Sequence, residues 1–537
     1  MKKIITSLLF IAFYYSVLAY PGKIIKSFDA PGQYITGITF DGKNLWVSDR
    51  KADKIYCINP DNGKVTNSIS SPAYWPVGLA FDGQYLWNAD AKGGIPLSEN
   101  YIGMIYKIDP SDGTILHQLV SPAPVPKDLT WDGKYLWLID DRFDKLVQFD
   151  PKDGTTIKEF IAPASNPSGL TFDGTYLWIS DCVTNEIYMV NPENGTVLMT
   201  LDAPDKNSCG LAFDGKNLWN TDRNNCKIYC LVHNDEELYI AKNPKKSVIK
   251  YTHLTSNFGP GTVKTTDVYF AVPENRINQK LLKETEYSIK PEFIKDKWGQ
   301  NIAHFQSKNL KSGEQFEIIE TFYAETYEVR YFISPDKVGS FAEIPQDIKD
   351  KYLANDSKYE FDHPVIQNAL KEAVGDETNP YWIARKIYDY LILKMYYEMT
   401  GGWNTAPTVL ARGNGSCSEY SFVYISMCRA AGLPARYVGS IVQRGQLVAM
   451  DDVFHRWVEV YLPKYGWIPV DPSGGDQTSP AAQARYFGYL GNRFLITTQS
   501  GGGSEYLDWQ YNSNVYHTCS PKTFVVHEYF GDWVEEE

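Results

Sequence analysis

The sequence predicts a multidomain chain: an all-β propeller of five blades, an immunoglobulin-like β-sandwich, and an α+β domain. Three observations carry this. One phrase recurs five times in the first 235 residues; alternating apolar and polar residues then dominate 247–340; from about 345 the apolar spacing becomes helical, and a Cys, a His and an Asp follow in order. A chain of 537 residues also exceeds what one hydrophobic core holds.

Residues 1–19 read as a secretory signal. Lys2 and Lys3 precede an apolar run of about 15 residues, and Val17-Leu18-Ala19 presents small residues where a signal peptidase cuts. The run is short of the roughly 20 residues a spanning helix needs. The expectation is a secreted or periplasmic protein, bacterial by its Lys-Lys signal, with no transmembrane helix after cleavage. Export permits disulfides. Of eight cysteines, Cys182, Cys209, Cys226 and Cys230 crowd together, so one or two bridges are expected there. The net charge of −13 comes without clustered Lys and Arg, which argues against a nucleic-acid partner.

The propeller occupies 22–235. Its phrases are GITFDGKNLWVSD, GLAFDGQYLWNAD, DLTWDGKYLWLID, GLTFDGTYLWISD and GLAFDGKNLWNTD. Trp46, Trp87, Trp137, Trp178 and Trp219 stand 41, 50, 41 and 41 residues apart. Each unit reads as four short strands, with Asp-Gly as a tight hairpin turn whose two residues both take positive φ. Four strands in about 40 residues is a propeller blade. The segment GKIIKSFDAP at 22–31 repeats the fourth-strand pattern GTVLMTLDAP at 195–204, and the fifth repeat lacks that strand. The N-terminal strand is therefore predicted to close the ring. The phrase resembles propeller repeats of the NHL and streptogramin-lyase-like kind, which implies fold rather than function.

Two propeller features bear on binding. Asp49, Asp90, Asp140, Asp181 and Asp222 each end a second strand; they either accept backbone N–H groups of the next loop, the reading preferred, or ring a cation. Repeat two carries nine extra residues between Asp90 and Ile105; insertions favour the binding face, and a tolerated surface loop is the equal alternative. A protein or glycan ligand on that face is the partner expected.

Residues 247–340 alternate as strands, at DVYFAV, EYSIKP and EQFEIIETFYAETYEVRYF, and read as the sandwich. They hold no Cys/His cluster and serve as a spacer or substrate-positioning unit.

The domain at 345–537 carries the chemistry. A helix is predicted over 379–399, and SEYSFVYISMCRAAG reads as a buried helix that places Cys417 at its N-terminus. A helix N-terminus favours the thiolate, the nucleophilic form of cysteine. HRWVEVYLP and GWIPVDP read as two strands joined at Lys464-Tyr465-Gly466. Folding them antiparallel brings His455 and Asp471 to one end of the pair, where Asp471 can orient His455 toward the thiol. Trp403 and Tyr397 are candidate oxyanion donors beside the Cys417 N–H.

GSCSEYS, RAAGLPARYVG and FHRWVEVYLPKYGWIPVDP closely resemble the transglutaminase-like superfamily. That resemblance implies a papain-like fold with Cys417 as nucleophile, His455 as general base and acid, and Asp471 as orienter. It implies a protein or peptide carboxamide substrate and a thioester resolved by amine or water. Arg456 stands where the family often has Ala and is expected to point away from the triad. No cofactor is expected and no metal is required. The alternative from another class is a non-catalytic surface or periplasmic binding protein that uses the propeller and keeps a degenerate transglutaminase fold as scaffold.

Overall fold

A computed structural model of the chain describes residues 19–91, 103–399, 403–445 and 448–536. Residues 1–18 of the expected signal and residues 92–102 of the second-repeat insertion lie outside the described residues.

Each repeat forms a four-stranded antiparallel sheet; the first, for example, comprises Ile35–Phe40, Leu45–Asp49, Lys54–Ile58 and Val65–Ser70. The fifth sheet contains Ser208–Phe213, Asn217–Asp222 and Lys227–Val232, and takes Ile24–Asp29 as its outer strand. Phe28 pairs with Ile228 and Asp29 with Lys227, so both ends of the repeat array share one sheet. That pairing leaves no half-built blade with an open edge.

The Asp-Gly turns differ from the expected two-residue hairpin. Only the glycine has positive φ, as at Gly42 (92°) and Gly174 (100°). The aspartate instead caps a longer turn. Asp41 accepts the Lys43 and Asn44 N–H groups at 2.8 and 2.6 Å and the Trp46 indole N–H at 2.7 Å. The same carboxylate–indole bond joins Asp82 to Trp87, Asp132 to Trp137, Asp173 to Trp178 and Asp214 to Trp219, at 2.8–2.9 Å. This bond is the physical reason that Asp and Trp recur five residues apart in every unit.

The aspartates that end the second strands also bind backbone. Asp49 accepts from Lys51 and Ala52, Asp140 from Val125 and Phe143, and Asp181 from Asn166, Val183 and Thr184. Among the described residues no group of three or more His, Cys, Asp or Glu is arranged to hold a metal.

One innermost-strand position is unlike its four counterparts. Gly37, Gly78, Gly169 and Gly210 let neighbouring blades approach closely; a Cβ on Gly210 would lie 2.8 Å from the Ile38 nitrogen. The third blade has Asp128 there. Its fully buried carboxylate accepts N–H groups from three blades: Leu79 at 3.2 Å, Leu129 at 2.9 Å and Leu170 at 2.8 Å. Burial pushes this carboxyl well above the usual range, against the pull of those N–H groups.

All eight thiols are unpaired. The bridges expected in 182–230 do not form: Cys209 and Cys230 lie in buried strands, whereas Cys182 and Cys226 sit outside the strands, just beyond Asp181 and Asp222.

The sandwich packs a seven-stranded sheet, led by the pairing of Tyr239–Asn257 with Gln315–Tyr331, against a four-stranded sheet. It is not confined to 247–340. Ser513–Cys519 joins the smaller sheet through Val263–Ala271, and Val525–Glu535 pairs along Tyr239–Asn257. Val448–Asp451 then pairs with Val525–Glu535 at the edge. Strands from the far end of the chain thus complete it, because pairing between strands distant in sequence leaves no local signal. The propeller docks through Glu186, whose carboxylate meets Arg330 at 3.2 Å and Arg485 at 2.8 Å.

Behind the sandwich, helices Pro380–Lys394, Ala406–Arg412 and Cys417–Ala430 accompany a four-stranded sheet. Its order is Gly466–Val470, His455–Leu462, Ala435–Val442, Phe494–Ser500.

Candidate active site

Cys417 is the first residue of the helix Cys417–Ala430, after the N-cap Ser416. Its N–H therefore has no partner within the helix. Glu419 fixes this end. Its fully buried carboxylate accepts the Ser416 N–H, the Asn404 N–H and an Arg412 guanidinium N–H, each at 3.1 Å. Helix Pro380–Lys394 stops at Lys394 rather than running to 399, because Tyr396 and Tyr397 pair parallel to Asn414 and Gly415. That bridge sets Tyr397 beside the approach to Cys417.

His455 and Asp471 come from the hairpin. Val458 pairs with Val470 and Leu462 with Gly466, and the turn takes positive φ at Lys464 (72°) and Gly466 (78°). The antiparallel register returns Asp471 to His455, whose Nε2 lies 2.7 Å from Asp471 Oδ2. Ser473 Oγ and the Gly474 N–H hold the other carboxylate oxygen at 2.7 and 3.0 Å. With Nε2 engaged, the remaining ring nitrogen is the one left for the thiol, and the imidazole's charge acts on Cys417.

The three groups shift one another. Burial pushes the Cys417 thiol up, but the hydrogen bond and charge of His455, with the Arg456 N–H and guanidinium, hold it below its ordinary value. Burial alone would lower His455; the charge and hydrogen bond of Asp471 and the bond to Cys417 carry it up to about 10. Asp471 is held below the usual carboxylate value against its burial, chiefly by His455. The arrangement favours a thiolate–imidazolium pair, the reactive form of a cysteine nucleophile.

Cys417 opens on a cavity of about 310 Å³ walled by Tyr397, Met399, Trp403, Phe454, Tyr511 and Tyr529. Both expected oxyanion candidates, Trp403 and Tyr397, line it. Tyr511, from the segment leading into the C-terminal strands, lines it too and was not singled out by any motif.

Arg456 does not point away from the site. It is fully buried, and its guanidinium lies among the rings of Trp403, Phe422, Tyr437 and Tyr511, of which Trp403 and Tyr511 also wall the Cys417 cavity. Alternation along His455–Leu462 cannot separate an inner from an outer face, since this central strand is covered on both sides: Arg456, Trp457 and Val458 are all buried.

Residues 367–472, which include Cys417, His455 and Asp471, match the family model described as the transglutaminase-like superfamily. Two curated relatives match over part of the chain. An uncharacterized protein of Haemophilus influenzae is 25% identical over 131 residues, covering 20% of this chain and 35% of the relative. The uncharacterized protein YebA of Bacillus subtilis is 34% identical over 77 residues, covering 12% of this chain and 10% of the relative. The chain thus spans about a third and a tenth of the relatives it matches. Among solved structures, a provisionally assigned cysteine protease of Cytophaga hutchinsonii is 15% identical, with all of that chain and 56% of this one covered, at a TM-score of 0.39.

Proposed function

We propose that this chain, whose residues 367–472 form a transglutaminase-like domain, acts on protein or peptide carboxamides through a thioester at Cys417. One observation carries the reading: Cys417, first residue of its helix, lies at the wall of an aromatic cavity under the influence of a His455 that is itself 2.7 Å from Asp471.

The Cys417 thiolate attacks the carboxamide carbon and the carbonyl oxygen becomes an oxyanion. The unpartnered Cys417 N–H is one donor for it, and a side-chain donor from Trp403 or Tyr397 is the second. His455, protonated, passes its proton to the leaving nitrogen as the C–N bond breaks, and the thioester remains. An amine or a water then attacks the thioester. His455 takes the incoming proton, the C–S bond breaks and the thiolate returns. Aromatic walls that exclude water favour the amine. Asp471 keeps the imidazole in the tautomer this cycle needs. In the same reading the protein is exported, and the propeller recruits the protein or glycan on which the thiol site works.

The test is mass spectrometry of a glutamine-containing donor peptide incubated with the mature protein and a primary amine, with Cys417→Ala as control. An amine adduct formed only by the wild type identifies transamidation. Deamidation or cleavage identifies a hydrolase. Products that persist in Cys417→Ala contradict the reading.

A further inference from the structure

Arg456 presents an imbalance that the triad alone does not explain. A buried guanidinium ordinarily faces a carboxylate, since an uncompensated internal charge is costly. Arg456 is fully buried, and among the described residues no carboxylate lies within ion-pair distance of it. Its Nη2 donates to the Trp509 carbonyl, while Nε and Nη1 have no hydrogen-bond partner. What surrounds it is aromatic. Its guanidinium carbon is 4.4 Å from the ring centres of Tyr437 and Tyr511, 5.0 Å from Trp403 and 5.2 Å from Phe422. Ring faces offset part of the cost of burying a cation, but they do not neutralise it.

The four rings are not equivalent. Phe422 belongs to the helix that begins at Cys417, and Trp403 and Tyr511 wall the Cys417 cavity. Arg456 directly follows His455, the triad imidazole, in the strand. One residue therefore grips the nucleophile's helix and two walls of the nucleophile's cavity. The negative charge that forms near it during the reaction is that of the thiolate, then of the oxyanion.

We propose that Arg456 is a positioning residue whose caged cation serves as the counter-charge of the Cys417 thiolate and sets Trp403 and Tyr511 as the walls of the cavity. This rests on the thiol-enzyme reading for its purpose but not for its test, because alkylation of a thiolate needs no turnover. The titratable groups that face Cys417 besides Arg456 are His455, Tyr397 and Tyr511, with Asp471 behind His455 and Asp451 near Tyr511.

The experiment measures Cys417 alkylation by iodoacetamide from pH 5 to 10 in the full chain, the wild type against Arg456→Met and Arg456→Lys, each checked for a cooperative thermal unfolding transition. Arg456→Met is expected to lower the rate at pH 6 about tenfold, the effect on the thiolate fraction of losing about one pKa unit of stabilisation. Its rate should rejoin the wild type at high pH. Arg456→Lys should recover most of the loss. An unchanged profile in Arg456→Met overturns the proposal, as does a loss at every pH that lysine does not recover. If Arg456→Met loses its unfolding transition, Arg456→Lys decides alone: a wild-type profile supports the proposal and one displaced to higher pH overturns it.

Discussion

His455 Nε2 lies 2.7 Å from Asp471 Oδ2 across the end of a hairpin whose last registered pair is Val458 with Val470. Ser473 and Gly474 fix the far oxygen of the same carboxylate, so the imidazole is oriented by a group that is itself held. Asp471→Asn keeps the shape but loses the charge that carries His455 upward. Turnover of a glutamine donor should fall roughly a thousandfold or more, with the melting temperature little changed. Activity within a few-fold of wild type would show that the carboxylate does not orient the base.

The pH dependence follows from the shifted groups. His455 is raised from 6.5 to about 10, so its contribution to stability is full below pH 6.5 and is lost as pH rises toward 10. Cys417 is lowered from 9.0, so its contribution is full above pH 9.0 and is lost as pH falls through its lowered value. Between the lowered thiol and about pH 10 both are ionised. Cys417 alkylation should therefore be fast at pH 7 and nearly flat up to about pH 10. In His455→Ala the rate should instead climb through pH 8 to 9, as for an ordinary cysteine. Stopped-flow alkylation distinguishes the two profiles.

Asp128 stitches the centre of the propeller by taking N–H groups from three blades. Asp128→Ala leaves these buried donors unsatisfied, at about 1–3 kcal/mol each. An unfolding free energy lowered by about 3 kcal/mol or more, read from the shift of the urea midpoint, is expected for the propeller transition. Cys417 labelling at neutral pH should be unaffected.

Glu186 joins the propeller to the rest of the molecule through Arg330 and Arg485. Arg330 retains Asp202 at 3.2 Å, so Glu186→Ala should weaken the docking by about 2 kcal/mol rather than expel a bare charge. Limited proteolysis should then cut faster between Val232 and Tyr239, where the last blade passes into the sandwich. An unchanged digestion rate would show that Glu186 does not hold the two parts together.

Legibility from sequence tracked how local each interaction is. The repeats could be read because the same Asp, Gly and Trp return at fixed spacing, and ring closure because residues 22–31 copy a strand the fifth repeat lacks. The turn type was misread because the carboxylate–indole bond, not two positive φ values, shapes the loop. Asp128 did leave a signal: DLTW stands where the other repeats have a glycine. Ser513–Cys519 and Val525–Glu535 could not be assigned to the sandwich, because their partners lie some 250 residues earlier. Arg456 was misplaced because a strand buried on both faces carries no alternation to read.

The most direct test is competitive labelling with limiting iodoacetamide at pH 7, with each cysteine quantified by peptide mapping. Cys417 is expected to be modified well ahead of the other seven thiols, and His455→Ala to remove the lead. Equal labelling of all eight, or a lead that survives His455→Ala, would contradict a thiolate made by His455 and Asp471.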